Sequence, residues 1–279
     1  MQQPNPLSQF FRQPAIHIKL PSGGKFYPTG SLNMPPNGEL PVLPMTAVDE
    51  ITYRTPDALF NGSAIVSVIQ SCVPGIRDPW VMPSTDIDAV LVAIRIASFG
   101  HGMDVNTTCS SCNHQDEITV DLRIINDQIL PGEYDKSLSV GNLEFYFKPI
   151  NYKDVNQNNQ VQFEQQQALR ILDNAEAEET AKLAQLNQSM KVMNELTLKT
   201  VAQSIGAIKT PDALVTEINY IFEFLNNCDS RVFAQLRDHV IALKQASEIK
   251  PINLICTECG HKYSQPFTLD MASFFGDAS

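Results

Sequence analysis

Two CxxC pairs, Cys109-Ser110-Ser111-Cys112 and Cys256-Thr257-Glu258-Cys259, constrain this chain more than any other feature. They form a pseudo-repeat. The first pair continues Asn113-His114 and reaches Ile118-Thr119-Val120-Asp121; the second continues Gly260-His261 and reaches Phe267-Thr268-Leu269-Asp270. Each copy is a CxxC, a residue that tolerates positive φ, a His, a short polar turn and a strand ending in Asp. Asn and Gly suit that place because a CxxC knuckle turns sharply and both adopt the left-handed region at little cost.

Zinc takes four thiolates in a tetrahedron, and two knuckles supply four. The expected site is therefore one structural zinc per chain on Cys109, Cys112, Cys256 and Cys259, with His114 and His261 beside it as outer-shell groups or alternative ligands. Four thiolates leave no open position for catalysis. Redox dithiols would need a βαβ context that neither pair has, and local disulfides are uncommon in a reducing compartment. The spacing between the pairs is unusual, so the metal would tie residues near 110 to residues near 257 across a very large loop. The remaining cysteines, Cys72 and Cys228, stand alone in helical surroundings and read as buried structural thiols.

Hydrophobic residues make up 43% of the 279 and charged residues 18%, a globular composition. The net charge of −11, with no basic run, argues against a general grip on phosphate backbones and favours protein partners. No run of about 18 apolar residues occurs, so no transmembrane span is expected. The N-terminus lacks a basic and then continuously apolar secretory signal, which points to the cytosol.

Residues 1–44 carry nine of the 18 prolines and read as an extended arm broken by turns. Ile16, Ile18 and Leu20 alternate with His17 and Lys19 as in a short strand, and Pro21-Ser22-Gly23-Gly24 is turn chemistry. The arm either wraps its own domain or reaches a neighbouring subunit. Two helices are expected between Thr55 and Gly100. Pro56 starts the first; Ser84 or Thr85 caps the second, with Asp86 and Asp88 in its first turn and Arg95 solvated or salt-bridged. Strands are expected at Glu117–Ile124 and Leu143–Phe147, joined with the N-terminal strand into one small antiparallel sheet beside the metal.

From Tyr152 to Ser204 the chain is Gln-, Glu-, Ala- and Leu-rich without Gly or Pro. Leu169, Leu172, Leu183, Leu186, Met190, Met193 and Leu196 recur at helical steps, as in one long helix or a helical hairpin. Pro211 opens a further helix to about Asn227 and Ser230 caps another through Leu243, completing a three-helix bundle.

No G-x-S-x-G, P-loop, dinucleotide-binding glycine pattern or HExxH occurs, and the acidic pairs Asp86/Asp88 and Glu178/Glu179 are explained by helix faces and caps. No catalytic residue is expected. Trp80, in the loop Arg77-Asp78-Pro79-Trp80, reads as a partly buried anchor or a partner contact, as do Phe26 and Tyr27.

The segment Leu20-Pro21-Ser22-Gly23-Gly24-Lys25-Phe26-Tyr27-Pro28 resembles the opening of baseplate hub and hub-assembly proteins of T-even-type contractile-tailed bacteriophages. Pro44-Met45-Thr46 with Asp49-Glu50, Asp86 leading to Arg95, Ser98-Phe99-Gly100, the cysteine knuckle and Phe274-Phe275 fit the same pattern. The resemblance implies a structural or assembly protein of the tail baseplate. Its partners would be hub and tail-tube proteins, in several copies around the tail axis. It would be found in the host cytoplasm during assembly and in the virion tail if retained. It does not require the second CxxC, so the complete four-cysteine site is read as this branch's own feature. The rival class is a zinc-ribbon adaptor binding nucleic acid or the transcription machinery.

The expected fold is α+β: a small antiparallel sheet with a split four-cysteine zinc-ribbon site and an inserted helical bundle. The expected division is an arm at 1–44, an α+β domain at 45–150 with the first knuckle, a helical bundle at 151–247, and a second knuckle and tail at 248–279 packing on 45–150.

Overall fold

The computed structural model describes residues 5–55, 60–174, 179–267, 269 and 274–275. In chain order the elements are β1 (Ile16–Ile18), β2 (Leu40–Val42), α1 (Ala47–Tyr53), α2 (Ser63–Cys72), α3 (Ser84–Phe99), β3 (Gly102–Thr108), β4 (Gln115–Asp121) and α4 (Leu122–Gln128). They continue with β5 (Leu138–Val140), β6 (Leu143–Phe147), α5 (Tyr152–Asn174), α6 (Glu179–Ser204), β7 (Ile205–Lys209) and β8 (Leu214–Val215). Last come α7 (Ile218–Asn227), α8 (Ser230–Ser247), β9 (Ile252–Ile255) and β10 (Lys262–Gln265). The chain divides into two compact units, Met1–Leu130 with Glu248–Ser279, and Pro131–Ser247.

In the first unit α3 is the central helix. Residues around its whole circumference, from Thr85 to Arg95, are buried, as expected of a helix that is apolar on every side. It packs against β1, β2, α2 and α4. The arm lies on its own unit here: β1 pairs antiparallel with β2, and Ile18, Leu20, Leu40 and Val42 are buried. Arg12 pins its start, donating to the Pro44 carbonyl, to Asp49 Oδ2 at 3.2 Å and to Ser71 O and Oγ at 2.8 and 2.7 Å. Asp49 also closes a capping box with Thr46 at the start of α1, a helix the sequence reading did not anticipate.

Several local expectations are corrected. The strand of the second repeat is Lys262–Gln265, directly after His261, and Phe267 and Leu269 lie beyond its end, while 268 and 270 are outside the described residues. Neither Ser84 nor Thr85 caps α3: Pro83 holds the cap position and Ser84 is already helical. Leu122–Ile124 begin α4 instead of ending a strand, because Asp121 Oδ1 accepts from the Arg123 amide and caps a helix there. α2 begins after Gly62, whose φ of 78° sets the turn; the expected start at Pro56 lies outside the described residues. Pro211 lies in the turn before β8, and the helix starts at Ile218. The expected single sheet is four sheets among the described residues: β1-β2, β3-β4, β9-β10 and β5-β6-β7-β8.

The second unit is a four-stranded antiparallel sheet with helices α5 to α8. Its core joins Phe145 and Phe147 of β6 to Val201, Ala202, Ile205, Ile208, Ile221, Leu225, Leu236 and Leu243. The 152–204 segment forms two helices, and α5 and α6 pair as a hairpin. Among the described residues no helix is long and apolar enough to cross a membrane.

Candidate metal centre

Each knuckle sits at the tip of an antiparallel hairpin. β3 and β4 pair up to Thr108↔Gln115, and β9 and β10 up to Ile255↔Lys262, so each knuckle spans the gap between the last paired residues. The main chain closes the same way in both. The Cys109 amide donates to the His114 carbonyl at 2.9 Å and the Asn113 amide to the Cys109 carbonyl at 2.9 Å. Cys256 and His261 repeat the first bond at 2.9 Å, and Gly260 and Cys256 the second at 3.0 Å. Asn113 and Gly260 have φ of 57° and 69°, the left-handed conformation the repeat requires.

The hairpins bring all four Sγ atoms within 4.8 Å of one another. Cys109 lies 3.8 Å from Cys259, and Cys112 lies 3.6 Å from Cys256. The first cysteine of each pair is buried and the second exposed, so the two knuckles meet with approximate two-fold symmetry. All four are free thiols, and at these separations none is disulfide-bonded. Zinc–thiolate bonds of about 2.3 Å place tetrahedral sulfurs about 3.8 Å apart, close to the 3.8 and 3.6 Å of the Cys109–Cys259 and Cys112–Cys256 pairs.

The electrostatics fit a cation. The amide of Cys112, and then that of Ser111, holds the Cys109 thiol down to about 6. The His114 amide pulls Cys112 down as well. The Cys259 thiol, burial, and the Cys256 and Cys109 thiols overrule it and push Cys112 up to about 12. Four thiols this close cannot all carry charge unaided; a dication among them removes the repulsion.

The two histidines shape the turns through their main chains. Their carbonyls accept the bonds above, and the amides of His114 and His261 face Cys112 and Cys259. His114 is half-buried and His261 exposed, and the cluster of candidate ligand atoms contains neither ring. Sequence reasoning missed the residues that clamp one hairpin to the other. Thr257 Oγ1 donates to Asp116 Oδ2 at 2.7 Å, and the Tyr263 hydroxyl to the buried Thr107 Oγ1 at 3.1 Å. Asp116 and Tyr263 each stand two places past the histidine of their repeat, so extending the repeat by two positions would have singled them out.

The other named residues lie elsewhere in the first unit. Tyr27 donates its hydroxyl to Asp86 Oδ2 at 3.1 Å, and the Ser22 amide and hydroxyl reach the same carboxylate at 2.8 and 2.6 Å. The Leu20–Pro28 segment is therefore a loop folded round a fully buried carboxylate, with Gly23, Gly24 and Phe26 all at positive φ. Burial pushes the Asp86 carboxyl up, while the hydrogen bonds from Ser22 and Tyr27 pull it back. Phe26 is exposed and Trp80 half-buried.

Arg95 corrects its expectation. It is only 3% exposed and lies against the rings of Phe99 at 5.1 Å and Phe274 at 5.8 Å. Its Nε and Nη1 have no hydrogen-bond partner among the described residues. Cys72 is buried as expected, whereas Cys228 is only half-buried, at the end of α7.

Fold and site together define a mixed helix-and-strand protein organised round a four-thiol cluster, clamped between two hairpins far apart in sequence. The chain belongs to the family described as the T4 bacteriophage base plate protein, which matches residues 14–276. No curated protein and no solved structure matches the chain. Membership points to a structural role in the phage tail baseplate, alongside other baseplate proteins.

Proposed function

We propose that this chain is a structural or assembly component of the baseplate hub that acts through protein–protein contacts and carries one structural zinc ion. The observation that carries the metal reading is the set of four Sγ atoms within 4.8 Å, presented by two matching knuckles. Cys109, Cys112, Cys256 and Cys259 are the ligands in this reading. Zinc supplies no reaction here: with four thiolates it is coordinatively closed and acts as a cross-link. His114 and His261 complete the site by fixing the two turns. The hairpins then form a split zinc ribbon, and folding and metal binding are one equilibrium.

The baseplate part of this reading is supported by the family, and the hub part by the resemblance of Leu20–Pro28 to the opening of hub and hub-assembly proteins. Partners in this reading are other hub and tail-tube proteins, in several copies around the tail axis. The net charge of −11 supports protein partners over nucleic acid. Phe26, at the exposed side of the loop, and Trp80 are the candidate contacts. The chain has no enzymatic role in this proposal; it meets its partners in the host cytoplasm and accompanies them into the tail if retained. Gradient sedimentation of tail intermediates from infected cells tests this. The chain is expected to travel with baseplate hub intermediates, and migration wholly apart from them would contradict the assignment.

A further inference from the structure

The bonds between the two knuckle hairpins form one continuous chain of contacts. The Tyr263 hydroxyl donates to Thr107 Oγ1 at 3.1 Å, and Thr107 Oγ1 donates in turn to the Asp116 carbonyl at 3.2 Å. Asp116 Oδ2 then accepts from Thr257 Oγ1 at 2.7 Å. Thr107 and Asp116 are partners across β3–β4, one pair behind the knuckle. Tyr263 holds the same place on β10, and Thr257 directly follows Cys256. The contacts thus leave the second hairpin at its strand, cross both strands of the first, and return to the second at its knuckle. None of the four residues is among the candidate ligands.

These contacts are also one-sided. In the repeat, Thr257 corresponds to Ser110 and Asp116 to Tyr263. Two-fold symmetry would therefore match the Thr257–Asp116 bond with one between Ser110 and Tyr263. Among the described residues that bond is absent: Ser110 is exposed, and Tyr263 gives its hydroxyl to the buried Thr107 instead.

We propose that this hydrogen-bonded chain is the positioning element of the metal site, and that Thr257, Asp116, Thr107 and Tyr263 set how long the ion is held. The proposal rests on the four cysteines binding a metal. An ion shared by two hairpin tips is a single point of attachment, about which the hairpins can pivot. The hydrogen-bonded chain is a second attachment one residue pair behind, and two attachments fix the angle between the hairpins. For the ion to leave, one knuckle must swing off the other. The swing that parts Cys256 from Cys112 also parts Thr257 from Asp116. Groups that orient ligands without touching the metal change its affinity by about 10- to 100-fold when removed.

Cobalt(II) bound to the full chain in place of zinc tests this, because four-thiolate cobalt is coloured and its release to excess EDTA can be followed directly. Release is expected to be about tenfold faster in Tyr263→Phe and in Thr257→Val, each of which removes one hydroxyl and keeps the side-chain shape. Thr257→Ser, which keeps the hydroxyl, should release at the wild-type rate, as should Ser110→Ala at the position outside the chain of contacts. Asp86→Ala lowers the stability of the same compact unit away from the site and should not speed release. Wild-type rates in Tyr263→Phe and Thr257→Val would overturn the proposal. So would an Asp86→Ala rate raised as much as theirs, since release would then follow stability alone. A wild-type chain that takes up no cobalt would overturn the metal reading itself, and this proposal with it.

Discussion

The Sγ atoms of Cys112 and Cys256, 144 positions apart in the chain, lie 3.6 Å from each other. The residues between them include the whole of the second compact unit, so any bond across this pair closes a loop round an inserted domain. Closure entropy grows only slowly with loop length, so a tie of this reach costs little more than a short one. What fixes its geometry is local: two hairpins, two left-handed turns and two cross-hairpin hydrogen bonds.

The equivalence of Asn113 and Gly260 gives the first prediction. No atom lies within 4 Å of where a Cβ on Gly260 would sit, so conformation alone limits that position. Gly260→Asn is expected to be close to neutral, since the other knuckle already uses Asn. Gly260→Val should cost about 1–2 kcal/mol, because a β-branched residue resists positive φ. Thermal unfolding of the two variants separates these outcomes; equal losses would contradict the matched-knuckle reading.

Asp86 predicts the second. Asp86→Ala would leave the Ser22 amide, the Ser22 hydroxyl and the Tyr27 hydroxyl without their shared acceptor in a buried site. Leaving such groups unsatisfied should destabilise the first unit by about 3 kcal/mol and free the Leu20–Pro28 loop for proteolysis. Denaturant unfolding and limited proteolysis check both effects. A variant as stable and as resistant as wild type would remove Asp86 from its anchoring role.

His239 gives a pH dependence. Its ring lies 4.6 Å from that of Phe147, its Nε2 is buried without a partner among the described residues, and burial holds its pKa below the ordinary 6.5. A base with a lowered folded pKa binds fewer protons folded than unfolded, so its contribution is intact above pH 6.5 and is lost as pH falls below that value. Stability measured between pH 8 and 5 should decline through the acidic part of the range, and His239→Gln should flatten the decline. An unchanged slope in the variant would assign it to other groups.

Arg95 is another kind of buried group, a cation beside phenyl rings whose Nε and Nη1 have no partner among the described residues. Arg95→Met keeps the volume and removes the desolvation cost, so it should be as stable as wild type or more so by up to about 2 kcal/mol. A large loss of stability would mean that the guanidinium is satisfied by a group not yet identified.

Legibility from sequence followed locality. The knuckles could be read because CxxC, positive φ and the following histidine all lie within six residues. β6 was read at its observed bounds because Leu143, Phe145 and Phe147 alternate, and Phe145 and Phe147 are core residues. The α5 and α6 helices showed through their composition. β3, by contrast, alternates polar with apolar only weakly, and its partner β4 sets it. α1 is a short helix whose signal was one capping box. Arg95 misled because residue type argues for solvent, whereas α3 is buried all round.

The most direct test of the account is metal content, by native mass spectrometry of the purified protein and of Cys256→Ser. The account predicts about one zinc per chain in the wild type, bound by residues from both knuckles. The single substitution in the second knuckle should lose that zinc and make unfolding of the first unit less cooperative. A wild-type protein that binds no metal, with its four thiols free or paired as disulfides, would contradict it.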